Sequence, residues 1–101
     1  MGHCIIKIND CYLEWSSVVD APISRGMDRA RFIKYYRREY GARGMEGLEK
    51  RLDRADEFGV ADRGWGTVED VIEGNRAGKN ETCLTQDEIY AEYCQVDRKG
   101  R

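Results

Sequence analysis

The chain has 101 residues, ten of them aromatic, with 36% charged residues of mixed sign and a formal net charge of -2. This length fits one domain (1–101) with enough aromatic bulk for a core without metal or disulfide staples; a disordered acidic tail and a membrane span are excluded, since no apolar run approaches about 20 residues. The net charge hides a split: residues 25–54 hold ten Lys/Arg against five acids and residues 55–97 hold eleven acids against three Lys/Arg, which favours a charged partner.

Residues 3–19 read as a β-hairpin. Asn9-Asp10 is a turn dipeptide with apolar residues alternating on both sides of it. With those two residues as the loop, Ile8 faces Cys11, Ile6 faces Leu13 and Cys4 faces Trp15, all on one face. A one-residue slip would put the two sets out of register, so the pattern selects this turn. The other face carries His3, Ile5, Lys7, Tyr12 and Glu14 and is expected to meet solvent. Residues 20–27, with Pro22 and Gly26, read as a loop.

Four helices are expected, at about 29–40, 44–58, 67–77 and 86–96. Asp28 caps the first and Gly41 stops it. Its wheel buries Phe32, Ile33, Tyr36 and Tyr40 and turns Arg31, Lys34 and Arg38 outward, with Tyr35 and Arg37 at the margins. The second buries Met45, Leu48, Leu52 and Ala55 and ends before Gly59. Thr67 caps the third, with Asp70 at the capping-box position and Val68, Val71 and Ile72 inward. The fourth starts at a capping box, Thr85 with Glu88, where Leu84 and Ile89 form a hydrophobic staple; it buries Ile89 and Tyr93. The fold class is therefore α+β, an N-terminal hairpin packed against about four short helices. The expected core is Cys4, Ile6, Leu13, Trp15, Phe32, Ile33, Tyr36, Leu48, Leu52, Val71, Ile72, Ile89 and Tyr93.

Cys4, Cys11, Cys83 and Cys94 contain no Cys-x-x-Cys pair, and His3 is the only histidine, so no metal site is expected. Met1-Gly2-His3-Cys4 does not begin a basic-then-apolar leader, so the thiols are expected to stay reduced and to act as small buried apolar groups. The glycines around Trp65 match neither a P-loop nor a dinucleotide fingerprint, and no cofactor is implied. His3 and Cys4, as strand neighbours, point to opposite faces and form no nucleophile–base pair. No enzyme is expected.

Two constellations remain. The basic helix face, Arg31, Lys34, Arg37 and Arg38 with Tyr35 beside it, suits phosphates or an acidic protein surface, because arginine forks grip both. The same face also reads as an ordinary solvated surface. The acidic stretch (Glu69, Asp70, Glu73, Glu81, Asp87, Glu88, Glu92) could mimic a phosphate backbone, but several of these acids lie in first helical turns, where the helix dipole favours them in any case. Trp65, between two glycines, reads equally as an exposed interface anchor or as a lid on the core.

One set of motifs is familiar. Tyr12-Leu13-Glu14-Trp15-Ser16-Ser17-Val18-Val19-Asp20-Ala21-Pro22, Gly26-Met27, Tyr35-Tyr36, Glu39-Tyr40-Gly41, Asn75-Arg76-Ala77-Gly78 and Glu81-Thr82 resemble small uncharacterised accessory proteins encoded by bacteriophages, over roughly the first eighty residues. The resemblance implies a host-cytoplasm setting and a protein that binds and inhibits or modulates a host protein complex, such as a CRISPR effector or other defence or transcription machinery, without catalysis. The alternative is a nucleic-acid- or nucleotide-binding protein using the basic helix 29–40. The residues expected to meet the partner, a host protein or protein–nucleic-acid complex, are Arg31, Lys34, Tyr35, Arg37, Arg38 and Trp65; no membrane is expected.

Overall fold

A computed structural model describes residues 2–62 and 64–95. It is an α+β fold with the element order β1 (His3–Ile8), β2 (Cys11–Ser16), β3 (Ala21–Pro22), α1 (Arg29–Met45), α2 (Leu48–Phe58), α3 (Val68–Ile72) and α4 (Gln86–Tyr90), with a 3₁₀ turn at Lys79–Glu81 and a wide π-type turn at Ala91–Gln95. The hairpin has the expected register: Ile8 opposite Cys11, Ile6 opposite Leu13, Cys4 opposite Trp15. Asn9 takes the left-handed conformation that the tight loop requires, at φ 55°, which asparagine tolerates better than most residues.

The stretch expected as a loop at 20–27 contributes a third strand. After a turn at 17–20, Ala21 and Pro22 pair antiparallel with Ser16 and Trp15. Pro22 lies on the edge, where its missing N–H costs no ladder bond. Met27 then exchanges both backbone bonds with Tyr12, at 2.8 and 3.0 Å. The outer edge of β1 is covered in turn by residues 59–61: Lys7 N donates to Gly59 O at 2.8 Å and Ala61 N to Ile5 O at 2.9 Å. Neither edge of the hairpin is left open to pairing with another chain.

Both faces of the sheet are buried, and this corrects the expectation of a solvent face. Cys4, Ile6, Ile8, Cys11, Leu13 and Trp15 pack with Val60, Val68, Ile72, Ile89 and Cys94, under α3 and α4. On the reverse side Ile5 and Tyr12 pack with Phe32, Tyr36, Leu48, Leu52, Ala55 and Ala61, under α1 and α2. Two amphipathic helices from 29–58 each present an apolar stripe that must be covered, and the second sheet face is what covers them. Only His3 of that face stays exposed, while Lys7 is half-buried. Of the expected core, Ile33, Val71 and Tyr93 are half-buried at its margin.

Helix boundaries shift for identifiable reasons. Gly41, at φ 69° and ψ -160°, breaks α1 where a stop was expected, but one more turn runs on to Met45. A left-handed Gly47 (φ 69°) then delays α2 to Leu48, so Met45 belongs to the preceding turn. The third helix was expected to reach 77 but ends at Ile72. Asn75 takes over there. Its buried amide donates to Ile72 O at 2.7 Å and Leu84 O at 2.8 Å and accepts from Ala77 N at 3.1 Å and Leu84 N at 3.0 Å. This fastens the end of α3 to the approach to α4, whose capping box forms as expected. The expected end of the last helix at 96 and the basic residues 98–101 lie outside the described residues.

Replacing Asn75 by Ala removes the side-chain partner of the Ala77 and Leu84 N–H groups and of the Leu84 carbonyl, while Ile72 O keeps the backbone N–H of residue 75. Urea unfolding is expected to show a loss of about 2–4 kcal/mol. Asn75→Asp, which keeps the size but cannot donate, should also destabilise. A loss below about 0.5 kcal/mol in both variants would contradict the role given to this amide.

Candidate functional site

The N-terminus of α1 is fixed by Asp28, whose carboxylate accepts from Arg31 N at 2.8 Å. From there the 3.6-residue period turns Phe32 and Tyr36 into the core and sends Arg31, Lys34, Arg37 and Arg38 outward, all four exposed. Arg38 lies 3.8 Å from the carboxylate of its exposed neighbour Glu39, an arrangement worth little in water. Lys34 and Arg37 make no ion pair or hydrogen bond among the described residues.

Several other cations are used inside the fold, while Arg43 and Lys50 are exposed. Arg29 turns toward α2 and reaches Asp53 at 2.9 Å and Asp56 at 3.0 Å. Lys7 approaches the same Asp56 at 3.0 Å, and the Tyr12 hydroxyl donates to it. These donors, Tyr12 first, hold the Asp56 carboxyl below its usual range. Arg51 lies over the Tyr36 ring, donates to the Tyr36 hydroxyl at 2.9 Å and pairs with Asp62 at 3.2 Å. Arg54 Nε donates to Ala61 O at 2.7 Å. The charge split of the sequence is thus partly neutralised across α2, and Arg31, Lys34, Arg37 and Arg38 lie exposed together on the outer face of α1.

Tyr35 belongs elsewhere than the sequence implies. Its hydroxyl turns inward and donates to Glu14 Oε1 at 2.6 Å, while Tyr40 donates to Glu14 Oε2 at 2.5 Å and His3 Nδ1 lies 3.4 Å from the same oxygen. Glu14 is 1% exposed. An ionised carboxylate is tolerated at such a place only when charge-assisted donors replace its water. Its backbone is engaged too: its N–H donates to Ser24 Oγ at 2.9 Å and its carbonyl accepts from Ile23 N at 2.8 Å. Tyr40, expected in the buried stripe, keeps 39% of its surface exposed, with its ring 4.5 Å from that of Tyr36 and its hydroxyl on Glu14. Burial, followed by the bond to Glu14, raises the pKa of both tyrosines well above 10. The arrangement is an anchor that seats α1 on the sheet, since both carboxylate oxygens are already occupied by protein donors.

Trp65 is half-buried and packs against the cluster under α3 and α4, so it serves as a lid. That cluster lies on the opposite side of the sheet from α1, so Trp65 does not join the basic face. Asp70 and Glu88 are committed to the capping boxes of α3 and α4. Among the described residues no group of three His, Cys, Asp or Glu converges to hold a metal, and no helix is long and apolar enough to cross a membrane. The chain matches no protein-family model, and no curated protein or solved structure is significantly similar to it.

Glu14 was assigned to solvent because strand alternation alone cannot tell a second buried face from an open one. The available signal is Tyr35 at the margin of the helix and Tyr40 in its buried stripe, whose hydroxyls need partners if buried.

The folded tyrosines hold their protons more tightly than unfolded ones. Their stabilisation is therefore complete below about pH 10 and is lost as the pH rises toward the folded values. Tyr35→Phe should cost about 1–3 kcal/mol at pH 7 and then lose less stability than wild type between pH 9 and 11.5, as read by thermal melts alongside tyrosinate absorbance. Parallel pH profiles for the two proteins would argue against the Glu14 anchor.

Proposed function

We propose that this chain is a non-catalytic interaction protein that presents the outer face of α1 to an acidic surface on a host protein complex and thereby inhibits or modulates it. The observation that carries the reading is the sorting of cations. Lys7, Arg29 and Arg51 are bound to acids within the fold, and the exposed side chains of Arg31, Lys34, Arg37 and Arg38, the last beside Glu39, line one face of a helix that is seated on the sheet. A rigid surface loses little conformational entropy on binding, and the guanidinium fork matches a carboxylate. The resemblance to phage accessory proteins supports a host-cytoplasm setting and a target in defence or transcription machinery.

Protein is favoured over nucleic acid by the orientation of Tyr35. Single-stranded nucleic acid is gripped by basic grooves with aromatics on which bases stack, and Tyr35, the aromatic interleaved with these cations, is committed to Glu14. The isoelectric point of about 5.5 points the same way.

Tagged protein exposed to host lysate is expected to retain one host protein complex after nuclease treatment. The variant carrying Lys34→Glu, Arg37→Glu and Arg38→Glu should lose that capture while its Tm moves by less than about 3 °C, since exposed substitutions cost little. Capture that disappears with nuclease, together with duplex affinity that falls steeply with salt, would replace this reading with nucleic-acid binding.

A further inference from the structure

Cys11 opens β2 and Cys94 lies in the wide turn after α4, distant in sequence, yet they meet at Gly26. The Gly26 N–H donates to Tyr93 O at 2.7 Å, which draws the segment around Cys94 against the loop. A β-carbon at position 26 would stand 2.3 Å from Cys94 Sγ, 3.0 Å from Cys94 Cβ and 3.1 Å from Cys11 Cβ. Glycine is therefore required, and it brings the two thiol-bearing residues together. Their β-carbons both lie close to one point and so are separated by no more than about 6 Å, against the roughly 3.5–4.5 Å of a disulfide. An adjustment of about 2 Å in the short turn at Ala91–Gln95 closes that gap.

Access comes from a cavity of about 190 Å³ lined by both cysteines with Asp10, Gly26, Met27, Asp28 and Arg31. The Cys11 thiol donates to Asp10 Oδ1 at 3.6 Å, a carboxylate placed to take its proton, and Arg31 lines the same cavity. The remaining cysteines differ. Cys4, buried like Cys11 and Cys94, does not line that cavity; burial first, then the charge of Asp62, pushes its thiol up to about 12. Cys83 is exposed, contrary to the expectation that all four would be buried.

We propose that Cys11 and Cys94 form a dithiol pair that closes to an intramolecular disulfide on exposure to a peroxide, locking the turn after α4 onto the hairpin. Hydrogen peroxide oxidises one thiolate to the sulfenic acid and leaves as water. The second thiolate attacks that sulfur, the S–S bond forms, and the sulfenic oxygen departs as a second water. A dithiol reductant reverses the change by exchange.

The test uses the full chain with Cys83→Ser, so that no exposed thiol forms dimers. After hydrogen peroxide treatment the protein is unfolded in alkylating reagent without reductant, and its intact mass and peptides are read. The expected result is a mass lower by two hydrogens before alkylation, one alkylated thiol at Cys4, a linked Cys11–Cys94 peptide, and a higher Tm that dithiothreitol returns to the untreated value. Wild-type protein treated in parallel shows, by oxidation of Cys83, that the oxidant is active. Three alkylatable thiols would overturn the proposal, as would sulfinic acid at either cysteine without a linked peptide, or a linkage that includes Cys4.

Discussion

A carboxylate buried between a sheet and a helix must find donors, and Glu14 finds them in Tyr35 and Tyr40, with His3 3.4 Å away. Both donors belong to α1. The helix can therefore sit on the sheet in only one rotation and one axial position without stranding the carboxylate. Removing one hydroxyl donor from a buried carboxylate costs about 1–3 kcal/mol, whereas the net gain of making the arrangement is smaller. The cluster thus contributes specificity of placement more than bulk stability. Near the N-terminus of the same helix, Arg29 reaches the two acids of α2, one of them shared with Tyr12 and Lys7. Held at both ends, α1 has one face left for solvent, and that face carries Arg31, Lys34, Arg37 and Arg38.

The hairpin accepts this load because both of its faces are cores. One is closed by α3, α4 and Trp65, the other by α1 and α2. A two-stranded ribbon is marginal alone, but here its edges are also covered, by β3 and Met27 on one side and by residues 59–61 on the other. Asn75 and the two capping boxes hold the short helices of the α3–α4 half, where propensity alone would not keep five-residue helices formed.

Much of this is legible in the residues. The Asn9-Asp10 turn sets the register, Asp28, Thr67 and Thr85 mark helix starts, and Gly59 marks a stop, because each is a local signal with a local cause. What escapes the sequence is non-local. Alternation along β2 marks Glu14 as the polar side of a strand and says nothing of the helix that will cover it. The pattern after Thr67 suits a longer helix, but Asn75 gains four bonds by leaving it, two of them to Leu84 across a loop. The basic face of α1 was legible as a face, yet the inward turn of Tyr35 was not, since a margin position on a wheel can point either way. Trp65 was divided evenly between anchor and lid, and only the packing of the opposite core decides for the lid.

Native-state hydrogen exchange on wild type and Glu14→Gln tests most directly whether Glu14 seats α1. The account predicts that amides of 29–40 lose protection by roughly tenfold or more in the variant, while those of β1 and β2, held by two cores, change little. Wild-type exchange rates along 29–40 in Glu14→Gln would mean that apolar packing alone positions the helix and would remove the carboxylate from the centre of the structure.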